Sequence, residues 1–426
     1  MIKLIDSVLN RITMYRLVLY YLIWLLLMAE AFSFLGILPY GAVNLSFSAA
    51  VLLGVCLITN NIFAKTFEAA ANIESAYITA LILALIISPP RGPGEIMFLF
   101  WAGVLSMASK YILAINKKHI FNPAAAAVAA TAIFINKSAS WWIGTLPMLP
   151  FVISGGYLIA RKIRRTDLVW SFLISSGLTV IIWTFVNGGN PISSIKKTIA
   201  DSAIFFFAFV MLTEPLTTPP TKILRVIYGA MVGFLFAPQV HFGGVYLTPE
   251  MALLAGNIFS YAVSPKDRLI LKLNEKIKIA PDTYDFVFSS NKRLRYNPGQ
   301  YMEWTLGHQN PDARGNRRYF TLASSPTEND VRIGIKFYDN SSSFKKAMDD
   351  IPPGGTIAAS QLAGDFILPR DKNKKLVFIA GGIGITPFRS MIKYLVDKNE
   401  ARQITLFFAN KYVSEIVYRD ILDEAK

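Results

Sequence analysis

The hydrophobic pattern changes character once along the chain, near residue 268. Before it, apolar runs close to twenty residues long are broken by short polar turns. After it, apolar and polar residues alternate over five to eight positions, between turn signals such as NPGQ, SSPTEND and PPGG. The long runs match the ~20 residues that cross a bilayer as a helix, and the alternating runs read as strands. Ten spans are predicted, roughly 15–38, 44–63, 74–88, 94–115, 121–136, 140–160, 167–186, 199–217, 222–240 and 246–264, of which the third and fifth are short. The first run is of span length and lacks a small-residue cleavage site, unlike a removable leader.

The second part divides again. From 269 to about 370, stretches such as YDFVFSS, GQYMEWTL and VRIGIKFY predict a small antiparallel barrel. From 371, KKLVFIAGGIGITPFRSMIKYLV predicts a buried strand over 376–380, a glycine turn, and a helix with Thr386 as N-cap and Pro387 as its first residue. Phe388, Met391, Ile392 and Leu395 fall on one helical face and are its expected core. ITLFFANK predicts the next parallel strand and EIVYRDILDEA a following helix. The expected architecture is a polytopic α-helical membrane domain (1–268), a barrel domain (269–370) and a partial α/β domain (371–426).

Composition narrows the function. The 426 residues carry a net charge of +15, but charged residues are only 17% of the chain and the mean hydropathy is +0.41, which does not suit a soluble nucleic-acid binder. The charge is spread: 19 Lys+Arg against 10 Asp+Glu before residue 269, a net of +9, and 24 against 18 after it, a net of +6. With a cytoplasmic N-terminus, the inside segments hold Lys3, Arg11, Arg16, Lys65, Lys117, Lys118, Arg161, Lys162, Arg164, Arg165, Lys222, Arg225, Lys266 and Arg268, and the outside loops only Arg91, Lys137, Lys196 and Lys197. This asymmetry places the C-terminal part in the cytoplasm of a multi-pass cell-membrane protein. A single cysteine, Cys56, excludes a disulfide framework and a cysteine-ligated iron–sulfur cluster carried by this chain alone. No metal site is expected. The three histidines, His119, His241 and His308, lie at loops or in the second part, so haem ligation between spans is disfavoured.

Particular residues carry candidate chemistry. Glu214, in VMLTEPLTTPP, ends the eighth predicted span beside Pro215, Pro219 and Pro220. A carboxylate there needs protein or water around it, so the segment reads as an ion, quinone or flavin site, or as a rim carboxylate capping a broken helix. Glu30 and Lys110 suit rim or pairing roles. In RRYFTLASSP, an arginine, an aromatic and a hydroxyl on one strand can meet a phosphate, a ring face and a ring nitrogen together. Ser341, Ser342 and Ser343 open the amphipathic stretch FKKAMDDI at what reads as a helix N-terminus. Gly381, Gly382 and Gly384 let backbone amides approach a pyrophosphate. Each of these also has an ordinary reading as strand, cap or turn chemistry.

Taken in order, NPGQY (297–301), RYFTLASSP (318–326), PGG…GDF (353–366), GGIGITP (381–387) and FFANK…RDIL (407–422) resemble the ferredoxin–NADP reductase superfamily. The resemblance implies a flavin-binding barrel followed by a nicotinamide-binding α/β domain, with FAD and NADH or NADPH as cofactors. It implies that Arg318 binds flavin phosphate, Phe320 packs on the flavin, and Thr321 approaches the ring nitrogen that receives hydride, with Tyr319 and Ser324 of the same segment among the flavin-binding residues. Phe320 stands where the family usually has tyrosine. Ser341 to Ser343 match the second phosphate segment, and Gly381, Gly382, Gly384 and Thr386 the nicotinamide pyrophosphate loop. The chain stops about half-way through the expected nicotinamide domain, as a fragment of a longer protein would.

HIFNPAAAAVAA (119–130) and FFFAFVMLTEPLTTPPTKILRVIYGAMVG (205–233) resemble the D subunit of the Rnf electron-transport complex and the B subunit of the sodium-pumping NADH:quinone oxidoreductase. Those subunits carry FMN on a threonine in a Ser-Gly-Ala-Thr motif that does not occur here, so the resemblance leaves a non-covalent FMN or other flavin near Asn122, Pro123, Glu214 and Thr217. Together the two resemblances imply a membrane-bound oxidoreductase that takes electrons from NAD(P)H through FAD to a quinone, a membrane flavin or an extracytoplasmic acceptor, with partner subunits. The alternatives are an ion-translocating or transporter subunit with a redox-sensing flavin domain, a ferric-reductase-type enzyme, and an assembly subunit.

Overall fold

A computed structural model describes residues 9, 12–67, 73–115, 118–243, 245–264, 269–290, 292–308, 312 and 316–426. Lys3, Arg11, Lys117, Lys266 and Arg268, counted above for topology, and the side chain of Lys118 lie outside the described residues. The chain forms two compact units, Met1–Ser264 and Pro265–Lys426.

The first unit is helical: α1 (Met14–Phe34), α2 (Ala42–Thr66), α3 (Ile73–Ile86), α4 (Pro93–Ile112), α5 (Pro123–Ile135), α6 (Leu149–Lys162), α7 (Thr166–Val186), α8 (Pro191–Asp201), α9 (Lys222–Phe236) and α10 (Pro249–Val263). Among the described residues four helices, α1, α2, α4 and α7, are both long and apolar enough to cross a bilayer. In these the fully buried share of the most apolar stretch is between 22% and 39%, and apolar side chains such as Tyr20, Leu27, Phe34, Ile58, Ile62, Trp170 and Phe185 are exposed. α3 and α5 are shorter apolar helices and are largely buried.

The eighth expected span, 199–217, is not one helix. It comprises the tail of the exposed helix α8, a short turn at Ile204–Phe206, and a π-helical turn at Phe207–Met211 that stops ahead of Glu214. Pro215, Pro219 and Pro220 supply no backbone donors and cannot continue a helix. The carbonyls they free are taken up by arginines: Arg165 Nη1 donates to Pro219 O at 3.1 Å and Arg225 Nη1 to Pro220 O at 3.1 Å.

The second unit holds an antiparallel sheet of β1 (Leu269–Ala280), β2 (Thr283–Ser290), β3 (Tyr301–Thr305), β4 (Arg317–Thr321), β5 (Val331–Lys336) and β6 (Thr356–Ala363), in the order β4-β3-β6-β1-β2-β5. Alternation fixes which face is inside: Leu269, Leu271 and Leu273 of β1 are buried while Ile270 and Lys272 between them are exposed. Phe286, Phe288, Met302, Trp304, Val331, Ile333 and Ile335 complete that core, capped by Phe344 and Met348 of α11 (Ser343–Asp349). The expected barrel does not close, because β4 and β5 remain edge strands of the ladder. They meet only past the end of β4, where Ala323 N–H donates to Arg332 O at 2.8 Å.

Beyond the sheet, β7 (Leu376–Gly381) pairs in parallel with β8 (Ile404–Ala409). The helix α12 (Thr386–Asp397) buries Phe388, Met391, Ile392 and Leu395 as its pattern predicts. Thr386 is not its N-cap. A 3-10 turn over Gly382–Ile385 runs straight into the helix, so Thr386 is already helical and its hydroxyl donates to Ile383 O at 3.3 Å. The last predicted helix is reduced to α13 (Arg419–Glu424).

Candidate functional site

The flavin-type residues sit on and around β4. Alternation sends Arg318 and Phe320 to one face, where both reach Phe344 of α11: the guanidinium lies 5.2 Å from that ring and the Phe320 ring 6.0 Å from it. Arg318 Nη2 donates to Asp312 Oδ1 at 3.1 Å, and the Ser343 N–H donates to Asp312 Oδ2 at 3.2 Å. The Ser343 hydroxyl accepts from Asp312 N–H at 2.8 Å and lies 3.0 Å from His308 Nε2. A guanidinium and a backbone amide thus converge on one carboxylate, the donor set that recognises a phosphate oxygen. In this structure the Asp312 carboxylate occupies the point on which the two donors converge.

The remaining predicted residues are placed differently. Tyr319 points to the opposite face, exposed, with its hydroxyl donating to Glu303 Oε2 at 2.8 Å. Thr321, half-buried, ends β4 opposite Tyr301. Ser324 is fully buried, and its hydroxyl accepts from Arg332 N–H at 3.0 Å and meets Tyr296 OH at 3.1 Å. Ser341 closes a turn by donating to Tyr338 O at 2.7 Å, and Ser342 is the N-cap of α11.

In the glycine loop, Gly382 adopts φ +50°, which favours glycine. A Cβ placed at Gly381, Gly382 or Gly384 would meet nothing within 4 Å. The loop backbone is therefore open to close approach by a ligand, and these residues fit a pyrophosphate.

A polar cluster that sequence reasoning missed lies where α12 and α13 meet the sheet. Arg389 Nη1 donates to Ala323 O at 3.0 Å, and its Nη2 donates to Glu328 Oε1 at 2.9 Å. Tyr418 OH donates to Asp285 Oδ1 at 2.6 Å. Burial raises the Asp285 carboxyl above its ordinary range, against the opposing pull of Tyr418, Arg389 and Arg332. Burial, reinforced by Asp285, also holds the Tyr418 hydroxyl well above the usual tyrosine range. These residues are far apart in sequence and belong to no motif, so no spacing signalled them.

In the helical unit, Glu214 is the centre of a second cluster. His119 Nε2 lies 3.2 Å from Glu214 Oε1, Asn122 Nδ2 donates to Oε2 at 3.0 Å, and the Thr217 hydroxyl to Oε2 at 3.2 Å. The three residues predicted for this region are brought together, and His119 joins them. Asn122 also caps α5, while its N–H donates to Asn257 Oδ1 at 2.8 Å. Glu214, Asn122, Ser75 and Thr79 border a cavity of about 60 Å³ whose other walls include Val18, Ile78, Ile82 and Val210. Lys110 Nζ donates to Ser75 O and Oγ at 3.0 and 3.1 Å, and Glu30 accepts from Ser46 Oγ at 2.6 Å, the pairing roles their sequence suggested.

Comparison with known proteins bears on the second unit. Residues 378–426 match the family described as the oxidoreductase NAD-binding domain. The chain is 34% identical over 131 residues to a flavohemoprotein of Bacillus subtilis, covering 30% of this chain and 32% of that protein. It is 30% identical over 147 residues to the stachydrine N-demethylase reductase subunit Stc4 of Rhizobium meliloti, covering 34% and 41%. The chain therefore spans about a third of the length of the curated relatives it matches. Among solved structures, the flavohem-like FAD/NAD-binding domain of a nitric oxide dioxygenase from Vibrio cholerae overlaps 37% of this chain and 68% of its own, at 21% identity and a TM-score of 0.33. The C-terminal unit is thus similar to the NAD-binding reductase portions of known oxidoreductases.

Proposed function

We propose that the chain is a membrane-bound, flavin-dependent oxidoreductase that takes electrons from NADH or NADPH and delivers them to an acceptor at its helical unit. The observation that carries this reading is the convergence of Arg318 and the Ser343 amide on one anion, in the same unit as an open glycine loop and a matched NAD-binding segment. Within that unit we assign 269–370 to a flavin module and 371–426 to the start of a nicotinamide-nucleotide module.

On this reading Arg318 and Ser343 hold the flavin phosphate after Asp312 is displaced, Phe320 borders the ring, and Thr321 places its hydroxyl beside the atom that accepts hydride. Gly381, Gly382 and Gly384 receive the nucleotide pyrophosphate. Bound there, a flavin supplies the conversion between two-electron and one-electron chemistry that a membrane acceptor such as a quinone or second flavin requires.

For the helical unit we infer a multi-pass membrane domain built around α1, α2, α4 and α7, with the N-terminus and reductase unit cytoplasmic, on the strength of the lysine and arginine asymmetry. Kinship with Rnf and sodium-pumping oxidoreductase subunits rests on the segments 119–130 and 205–233. The Glu214 cluster beside a cavity also favours a second reading, an ion-translocating subunit with a redox-sensing flavin domain. A cofactor inventory of the purified chain, separating FAD, FMN and haem and testing covalent attachment, decides among these. Non-covalent FAD supports the reading, a haem band contradicts it, and ion flux without any nicotinamide favours the second.

A further inference from the structure

Arg389 is a charged residue in a buried place, 4% exposed, on the helix that opens from the glycine loop. It fastens the segment that follows β4. Its Nη1 donates to Ala323 O at 3.0 Å, and its guanidinium grips both oxygens of Glu328. The next residue, Ser390, donates to Ser324 O at 2.6 Å, and Glu328 accepts from Ser325 N–H at 2.6 Å. One helix thereby holds two carbonyls and, through Glu328, one amide of the loop that begins directly after Thr321.

A second fastening lies beside the first. Tyr418, 5.6 Å below the Arg389 guanidinium, reaches Asp285 of β2, and Gly334 of β5 makes room for it, since a Cβ there would lie 2.6 Å from the tyrosine oxygen. Burying an ion pair is a poor route to stability compared with apolar packing of the same volume. What it does supply is a single geometry, because a two-pronged guanidinium–carboxylate contact tolerates little sliding.

We propose that Arg389, Ser390 and Glu328 are positioning residues that fix the flavin-facing strand against the nucleotide loop and so set the distance for hydride transfer. This rests on the reading above that β4 meets a flavin and the glycine loop a nicotinamide nucleotide. The step served is the transfer of a hydride, two electrons with one proton, from the reduced nicotinamide, which becomes oxidised, to the flavin, which becomes reduced. Displacement of reacting atoms by about 1 Å can lower such a rate about 100-fold while leaving binding intact.

The test uses the purified full chain with Ser390→Ala and Glu328→Gln. In flavin-free protein, the amides of residues 322–325, 327 and 328 should exchange with deuterium about tenfold faster in both variants. In flavin-loaded protein, the limiting rate of flavin reduction at saturating NADH or NADPH should fall about 10- to 100-fold, while flavin content is unchanged and the half-saturating nicotinamide concentration moves less than about twofold. Unchanged exchange overturns the proposal, as does faster exchange with an unchanged limiting rate, or a rate loss that only follows loss of flavin. Should Glu328→Gln fail to fold, Ser390→Ala, which removes one hydroxyl, decides alone. If wild-type flavin is reduced by neither nicotinamide, the functional reading fails instead; the exchange measurement then judges the fastening, faster exchange upholding it and unchanged exchange refuting it.

Discussion

Each unit encloses carboxylates, Asp285 fully and Glu328 and Glu214 in part, and the two units surround them in different ways. In the C-terminal unit, Glu328 and Asp285 are met by the guanidiniums of Arg389 and Arg332, with Arg332 Nη1 3.9 Å from Asp285. In the helical unit, Glu214 is met by an amide, a hydroxyl and an imidazole, and it borders a cavity. Glu328, gripped at both oxygens by the Arg389 guanidinium in packed surroundings, acts as a fastening. A carboxylate held by single donors beside open space, at the end of a broken helix, is placed to receive something. The difference is between a carboxylate locked by a guanidinium and one left beside open space.

The contrast breaks most readily through stability. Arg389→Ala removes the two-pronged partner of Glu328, which keeps the longer Arg332 contact at 3.8 Å, and takes the donor from Ala323 O; it should cost about 3 kcal/mol in the C-terminal unit, read from the denaturant dependence of hydrogen exchange in β1 to β6. Glu214→Gln keeps the shape and most hydrogen-bonding capacity of the side chain and should cost about 1 kcal/mol or less. Equal losses for the two would erase the distinction.

Ligand affinity sharpens it next. Arg318→Ala should weaken flavin binding by about 10- to 150-fold, the range for one charge-assisted hydrogen bond of ~1.5–3 kcal/mol, measured as flavin retained through equilibrium dialysis. Asp312→Asn acts in the other direction. It removes a partly exposed partner of Arg318 that occupies the point where the donors converge, so flavin should bind about 1.4- to fivefold more tightly, as expected from a pair of ~0.2–1 kcal/mol. Weaker binding in Asp312→Asn would show that the carboxylate belongs to the flavin site rather than standing in for its phosphate.

The smallest effect concerns pH. Burial raises the Asp285 carboxyl in the folded protein. Such a group contributes stability that is fully present below the ordinary carboxylate range and is lost as pH rises through the raised folded value. Asp285→Asn should therefore flatten the stability of the C-terminal unit across that window, in a pH series of its denaturation midpoint. An undiminished slope would assign the pH dependence to other groups.

Much of this architecture was legible in local pattern. The β1 alternation, the parallel pair β7 and β8, and the Phe388, Met391, Ile392 and Leu395 face each follow from a repeat only a few residues long. What failed were features set by distant partners. Hydropathy alone joined 199–217 into one span, whereas the backbone turns extended at Ser202 and leaves the helix again ahead of Glu214 and Pro215. Thr386 had the chemistry of an N-cap, but the turn before it was already helical. Strand pattern could not say whether the sheet closes, since that depends on how β4 and β5 meet. Within the candidate site, Arg318 was singled out by its motif, and the structure places it beside Asp312 and Phe344. Asp312, Glu328, Arg389 and Tyr418 were invisible because their partners lie in other elements.

The most direct test adds NADH, then NADPH, anaerobically to the purified full chain while flavin absorbance is recorded. The account predicts that at least one nicotinamide bleaches a bound flavin, and that Arg318→Ala, which retains little flavin, shows no such signal. A chain that retains flavin yet is bleached by neither nicotinamide, or one that purifies with haem in place of flavin, would contradict it.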